Sequence, residues 1–257
     1  MNLSAVVITE NEELNIERCL RSLAFCNEII VVDSGSSDDT EAIARKSSAL
    51  FVKHPWAGFA RQKNFANSIA QYDWILSVDA DEEVPDDLRV EIVAVMRSIA
   101  LSGDPSQPTA FSVPRRTLYG AQWIQHGGWY PNRVVRLMNK RFGTWVSVPV
   151  HEYWQTTGRI VELQRDLIHH SFSGIEDQVE RNNRYSSLGS QRLYQDNTRF
   201  SLVRLLLTPT TKFIETYFWK RGFLDGILGL IIAVSASYSV FLKWAKLWEL
   251  RSREAQS

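Results

Sequence analysis

Within the first 80 residues of this 257-residue chain, short uninterrupted apolar runs repeat, separated by segments of helical spacing. Residues 3–8 (LSAVVI), 28–33 (EIIVVD) and 74–79 (WILSVD) are of strand length and apolar on nearly every position, and 49–52 is a shorter run of the same kind. A strand that faces water on one side alternates polar and apolar residues, so continuous runs belong to strands covered on both faces. Between them, residues 12–23, 41–46 and 57–71 carry helical spacing. Pro85 suits the first turn of a helix running to about residue 96. This alternation predicts an α/β fold with a mostly parallel sheet flanked by helices.

In an open α/β sheet, ligands bind at the carboxyl ends of the strands. Three of those ends are polar here: Thr9-Glu10-Asn11-Glu12, Asp33-Ser34-Gly35-Ser36 and Asp79-Ala80-Asp81. On an extended chain, Asp79 and Asp81 point to one side. Two adjacent anions favour a hard divalent cation, Mg²⁺ or Mn²⁺, completed by substrate phosphates. A solvated acidic turn is the plainer reading. Neither G-x-G-x-x-G nor G-x-x-x-x-G-K-[ST] occurs, so a diphosphate would be neutralised by metal and basic side chains, with Arg61 and Lys63 as candidates or else an exposed helix face. Asp33 either accepts from a base or ribose or caps the next helix.

Charge is unevenly spread. Residues 1–110 hold 9 basic and 18 acidic side chains, net −9, and residues 111–257 hold 20 and 11, net +9. The acidic front half excludes a simple nucleic-acid binder. Cys19 and Cys26 form no zinc-type pair and read as free thiols of a reducing compartment, and the first nine residues do not read as a secretory signal.

The middle of the chain predicts shorter strands at 110–115, 133–138 and 159–163, dense in aromatic residues. Ser173-Gly174-Ile175-Glu176 is a capping-box pattern opening a helix to about residue 194. Residues 226–242 carry no charge. Around them, residues 199–257 hold 9 basic and 4 acidic side chains, with Trp219, Trp244 and Trp248 near the basic positions. That pattern predicts a peripheral or re-entrant attachment to an anionic membrane surface, with core helices or a full span as alternatives.

The segments VVITENEELNIERCLRSL, EIIVVDSGSSDDT, ARQKN and WILSVDADEEV, in this order, resemble the family 2 glycosyltransferases of the GT-A fold. The resemblance implies a nucleotide-sugar site with Thr9, Glu10 and Asp33 around base and ribose, and Asp79 and Asp81 engaging ribose, diphosphate and metal. Glu10 departs from the pattern, standing where an aromatic residue is often found. GGWYPNRVVRLMNK, VPVHEYW, LIHHSF and GFLDG resemble the branch containing lipopolysaccharide core-biosynthesis glucosyltransferases.

That branch implies transfer of a hexose, glucose first, from a UDP-sugar to an inner-core heptose of a lipid-linked core oligosaccharide, at the cytoplasmic face of the bacterial inner membrane. By the same resemblance Glu152 is the base, with His151 beside it, and His170 or His169 is a late metal ligand. Arg133 and Arg136 are candidates for an acidic group of donor or acceptor. Three residues apart on a strand, they face opposite sides, so one of them reaches the site. Trp129 either stacks on a sugar or packs in a core.

The expected organisation is a catalytic domain over 1–198, divided at 110/111 into nucleotide-sugar and acceptor halves, and a helical tail over 199–257. A polyprenyl-phosphate or other surface-polysaccharide transferase is the first alternative, and a non-catalytic sugar-nucleotide or glycolipid binder the second. A nucleotidyltransferase would need a glycine-rich loop after the first strand.

Overall fold

The structure, a computed structural model, describes residues 2–47, 49–102, 106–147, 152–172 and 174–254. The chain forms two compact units, Met1–Arg115 with Asn132–His170, and Arg116–Pro131 with Ser171–Ser257.

In the first unit the apolar runs become β1 (Leu3–Thr9), β2 (Glu28–Asp33), β3 (Leu50–Lys53) and β4 (Trp74–Asp79). They are parallel in the order β3-β2-β1-β4. All seven β1 residues are buried, which is why the run has no polar alternation. Leu3, Ala5 and Val7 face a cluster with Ile16 and Leu20 of α1 (Ile16–Ser22), Ala44 of α2 (Thr40–Lys46) and Leu88, Ile92 and Met96 of α4 (Asp86–Ser102). Val6 and Ile8, pointing the other way, meet Ala60 and Ala66 of α3 (Phe59–Ile69). Helices therefore cover both faces.

Helix α1 begins at Ile16, four residues later than its spacing predicts. The intervening backbone is bound elsewhere: the amides of Asn11, Glu12 and Glu13 donate to Ser36 Oγ (2.8 Å), Thr40 Oγ1 (2.8 Å) and Asp38 Oδ2 (3.1 Å). Asn11 takes a φ of +55° to allow it.

Past β4 the sheet becomes mixed. The further strands are β5 (Glu82–Glu83), β6 (Ala110–Tyr119), β7 (Gln122–Ile124), β8 (Asn132–Asn139), β9 (Gly143–Ser147), β10 (Glu152–Thr156), β11 (Ile160–Glu162) and β12 (Leu167–Phe172). β8 is antiparallel to both β4 and β6, and β12 is antiparallel to β5. β9 and β10 form a separate hairpin in which Trp145 and Trp154 are cross-strand partners. Asn64 of α3 fixes that hairpin by donating to the Trp145 carbonyl (2.8 Å) and accepting from its N–H (2.9 Å).

The second unit is built on α5 (Ile175–Gln195), α6 (Leu202–Ile214), a π-helical turn at Glu215–Trp219, a 3-10 turn at Gly222–Asp225, and α7 (Gly226–Glu254). The expected cap Ser173 lies outside the described residues, and Gly174 occupies the N-cap position. α6 and α7 are antiparallel, with Ser237 Oγ donating to the Pro209 carbonyl (2.8 Å) and the Arg204 guanidinium 5.5 Å from the Trp244 ring. α5 runs parallel to α7 and is laced to it: Asn182 donates to Ser235 Oγ (2.7 Å), and Lys246 Nζ donates to the Asn183 carbonyl, Ser186 and Ser187. Arg251 donates to the Tyr194 carbonyl (3.2 Å). Because α5 packs on α7, the units divide at 115/116, 131/132 and 170/171, whereas the sequence suggested 110/111 and 198/199.

Candidate active site

The parallel register aligns the carboxyl ends of β1, β2 and β4, pairing Thr9 with Asp33 and Ile8 with Asp79. The order 3-2-1-4 places a topological switch between β1 and β4, the position where such sheets bind ligands. The Thr9 hydroxyl is buried there with no hydrogen-bond partner among the described residues, an unfilled polar position at the strand end. Glu10 is exposed. Asp33 is buried and folded onto its own loop: Oδ2 accepts from the amides of Gly35 and Ser36 (both 3.0 Å), and Oδ1 accepts from Ser36 Oγ. Its carboxylate therefore shapes the β2–α2 loop.

β4 stops at Asp79, and Ala80 and Asp81 form a turn. Asp79 and Asp81 are thus not the same-side pair that an extended strand would give, and their partners differ. Asp79 Oδ1 lies 3.1 Å from Lys63 Nζ, and Oδ2 accepts from Arg136. Lys63 is 1% exposed and extends to Glu152 Oε1 at 2.7 Å, with its ammonium 4.8 Å from the Trp145 ring. Arg136 also donates to Glu82 (2.7 Å), whose fully buried carboxylate is shared with Arg115 (3.1 Å). Burial alone would push the Asp79 carboxyl up, but the charges of Arg136 and Lys63 overcome it and hold Asp79 well below the usual carboxylate range. Burial opposes the Arg136 charge too, and the carboxylates of Asp79 and Glu82 more than restore it.

Of the two basic candidates on α3, Lys63 enters this network and Arg61 is exposed. The exposed-face reading fails for Lys63 and holds for Arg61. Of the two strand arginines, Arg136 reaches the site, while Arg133 turns away to Glu162 (3.3 Å) and the Leu163 carbonyl (2.9 Å). Glu82 and Arg115 belong to the same network, although no sequence pattern singled them out. Glu82 follows Asp81 in an acidic run that looks solvated, yet it pairs with His169 across β5 and β12 and its carboxylate is enclosed by Arg115, Arg136 and the Asp79 amide.

His169 Nε2 lies 3.1 Å from Asp81 Oδ2, both side chains being nearly buried. His170 turns to Glu83 instead (3.0 Å). Burial lowers the His170 imidazole below its ordinary range, against the pull of Glu83, so it is neutral near pH 7. The late histidine at Asp81 is therefore His169 rather than His170. Asp79 is also spent, both of its oxygens being taken by cations. Among the described residues no set of three or more His, Cys, Asp or Glu side chains stands ready to hold a metal. Asp81 and His169 supply one carboxylate and one imidazole, a donor set that fits Mg²⁺ or Mn²⁺ only if phosphate oxygens complete the shell.

His151 lies outside the described residues. Trp129 belongs to the second unit and packs half-buried against Phe172 (5.9 Å between ring centroids). Both cysteines are free; burial raises the Cys19 thiol and pushes Cys26 up to about 12, so neither is a nucleophile at neutral pH.

A parallel α/β half, a mixed extension and a carboxylate-lysine network at the strand ends define a GT-A-like transferase fold. The chain belongs to the family 2 glycosyltransferases: the model of "Glycosyl transferase family 2" matches residues 4–102. An uncharacterized glycosyltransferase of Rickettsia typhi is 32% identical, over 96% of this chain and 87% of its own. The lipopolysaccharide core biosynthesis glycosyltransferase LpsC of Rhizobium meliloti is 28% identical, over 99% of this chain and 94% of its own. The crystal structure of S. aureus TarS 1–349 overlays with a TM-score of 0.50 at 15% identity, covering 98% of this chain and 92% of that one, and supports the fold.

Proposed function

We propose that this protein transfers a hexose, glucose first, with inversion from a UDP-sugar to an inner-core heptose of a lipid-linked oligosaccharide. The observation that carries the catalytic reading is the Asp79–Lys63–Glu152 chain, in which one buried ammonium serves a carboxylate at the nucleotide-binding strand ends and a second on the β10 hairpin. The similarity to LpsC over almost the whole of both chains favours the core-oligosaccharide acceptor over a polyprenyl phosphate.

The roles follow from the contacts. Lys63 holds the Glu152 carboxylate in place from the α3 side at 2.7 Å, as a general base must be positioned. It occupies Oε1, and Oε2 has no bond among the described residues. As the acceptor oxygen bonds to the anomeric carbon, its proton passes to Glu152 Oε2. The carbon–oxygen bond to the diphosphate breaks, and its electron pair leaves with UDP. Asp81 and His169 would hold a Mg²⁺ or Mn²⁺ ion, which neutralises the departing diphosphate when bound. Arg136 and Lys63 fix Asp79 at the strand end, facing the donor.

The test is UDP release from a panel of UDP-sugars, with and without heptose-bearing core lipid, in Mn²⁺, Mg²⁺ or EDTA. Acceptor-dependent release from UDP-glucose, lost in EDTA and reduced about 10²-fold or more in Asp81→Ala, is the expected result. Equal release in EDTA removes the metal, and release only with a polyprenyl phosphate changes the acceptor.

The enzyme works, in this reading, as a peripheral protein on the anionic cytoplasmic leaflet. Residues Gly222–Glu254 are long and apolar enough to cross a bilayer, with a mean hydropathy of 1.8 in a stretch that is 22% buried. Ile227 (80% exposed) and Trp219 (85%) are the most exposed of the apolar side chains on these helices, which also include Leu206, Leu207 and Phe218. A span would drag α5 into hydrocarbon, because the polar ladder from Asn182 to Tyr194 ties it to α7, and Glu176, Asp177 and Glu180 are on that helix. Interfacial docking keeps the ladder and buries exposed apolar side chains, with each nearby Lys or Arg adding on the order of 1 kcal/mol. Wild-type protein is expected to co-sediment with vesicles containing phosphatidylglycerol and to be released by alkaline carbonate. Ile227→Asp with Trp219→Ala should weaken binding roughly tenfold. Retention in carbonate would mean a span.

A further inference from the structure

The β9–β10 hairpin carries Glu152, yet among the described residues its two strands pair only with each other and share no ladder with the larger sheet. Something other than sheet pairing therefore sets where that carboxylate stands. At the open end the hairpin is tied down by Thr156, whose hydroxyl donates to the Phe142 carbonyl (2.7 Å) and lies 3.1 Å from Thr109 Oγ1. Gly143 opens β9 there, so close to the Trp154 indole that a Cβ would stand 2.6 Å from the ring. Glu152 is at the other end, the first residue of β10.

That end is held by α3. Lys63 and Asn64 are neighbours on the helix, and both reach the hairpin. The Lys63 ammonium meets the Glu152 carboxylate at 2.7 Å and the Trp145 ring at 4.8 Å. An ammonium on a flexible stem is a point charge, which attracts without imposing an orientation. Asn64 is directional. Its Nδ2 donates to the Trp145 carbonyl (2.8 Å), and its Oδ1 accepts from the Trp145 N–H (2.9 Å) and from Thr144 Oγ1 (3.0 Å). A carboxamide carries a donor and an acceptor side by side, as a peptide edge does, so Asn64 stands against β9 in the place of a one-residue strand. This pairing fixes register as well as distance, because a slip of one residue would turn the strand's main-chain groups to the opposite edge.

Trp145 passes that register on. Gripped at its backbone by Asn64, it is 5% exposed and packs edge to face on its cross-strand partner Trp154, with 5.6 Å between ring centroids. Trp154 is two residues from Glu152, on the same side of β10. We propose that Asn64 is the positioning residue of Glu152, docking the hairpin on α3 so that Oε1 stays on Lys63 and Oε2 stays open to the acceptor hydroxyl. This rests on Glu152 being the base in the glycosyl-transfer reading above, and names the residue that aims it.

The test uses the full chain and a double-mutant cycle. Asn64→Ala removes both main-chain bonds and leaves room for water to replace them. In steady-state transfer from UDP-glucose to heptose-bearing core lipid, its kcat is expected to fall about 10–10²-fold while the KM for UDP-glucose moves less than about twofold. Asn64→Asp, which sets an anion against the Trp145 carbonyl, should fall at least as far, and Asn64→Gln, which keeps the amide, should recover part of the loss. Because Asn64 acts through Glu152, combining Asn64→Ala with Glu152→Gln should be no slower than Glu152→Gln alone, within about threefold. Losses that multiply overturn the proposal, as does full kcat in Asn64→Ala beside a slow Glu152→Gln. Full kcat in Glu152→Gln instead removes the base assignment itself. Hydrogen exchange decides the docking without turnover: the Trp145 amide should exchange about tenfold faster in Asn64→Ala, with the β1 amides unchanged. Faster exchange confined to the hairpin supports the docking even if the wild type transfers nothing, a result that would count against the donor or acceptor instead. Equal exchange at Trp145, or faster exchange in β1 as well, overturns it.

Discussion

Replacing Glu152 by glutamine should lower kcat by about 10²–10⁴-fold, the range that loss of a general base produces. The substitution preserves shape and leaves an oxygen to accept from Lys63, which keeps its second carboxylate, Asp79, at 3.1 Å. The network is therefore expected to stand, with the midpoint of chemical denaturation shifted by no more than about 1 kcal/mol. UDP binding, which depends on the strand ends, should be retained. What is lost is the destination of the acceptor proton, so the defect falls on kcat and not on the KM for UDP-glucose. Steady-state transfer assays beside isothermal titration with UDP separate the two. Full kcat in Glu152→Gln would exclude it as the base and turn attention to His151, next to it in the sequence.

The parallel half of the fold was legible because burial on both faces writes itself into the residues. Runs such as LSAVVI and EIIVVD can satisfy no other environment, and β1, β2 and β4 fall within a residue of them. The polar strand ends were legible for the same reason, since they interrupt those runs. Lys63 against Arg61 could have been decided from helical spacing. The two lie about 200° apart on a helix, and Lys63 shares a face with the small residues Ala60, Ala66 and Asn67, all buried. Strand parity named the right number of arginines but not the device that separates them: a β-bulge at Arg136, between the Ser112–Val135 and Phe111–Leu137 pairs, interrupts the alternation, and the structure sends Arg136 to Asp79 and Arg133 to Glu162.

Other features depend on pairings that local sequence does not encode. His169 rather than His170 meets Asp81 because β12 lies antiparallel to the two-residue β5, a register set by tertiary packing. Glu82 looks like one more acid in a solvated run until that strand buries it between two arginines. The Asp225 carboxylate meets the His126 ring (2.8 Å) across about a hundred residues of chain, and each half alone reads as a glycine-rich turn.

Arg136→Met is the substitution with the largest expected effect on stability, a loss of about 3 kcal/mol from a total of about 5–15. The guanidinium is 5% exposed at the side chain and serves Asp79 and the fully buried Glu82 together. Methionine refills much of the volume but leaves both anions with one cation fewer, Lys63 for Asp79 and Arg115 for Glu82. Those remaining partners keep the loss at the lower end for a broken buried pair. The pH dependence has a definite sign. A carboxyl held below its unfolded value stabilises the fold above about pH 4, and that contribution is lost as pH falls through the folded value. In the wild type, Asp79 holds its charge into strongly acidic solution. With Arg136 gone, the folded value rises toward the ordinary one, so acid unfolding should begin at higher pH. Urea denaturation at pH 7 measures the first effect and acid unfolding followed from pH 5 down to about pH 2 the second, and a midpoint shift at pH 7 worth less than about 1 kcal/mol would show that the pair contributes little. Adding Glu82→Gln to Arg136→Met separates lost charge from lost packing. If the uncompensated anion is the cause, the double variant recovers a substantial part of the stability, because a neutral amide needs no cation and can still accept from Arg115.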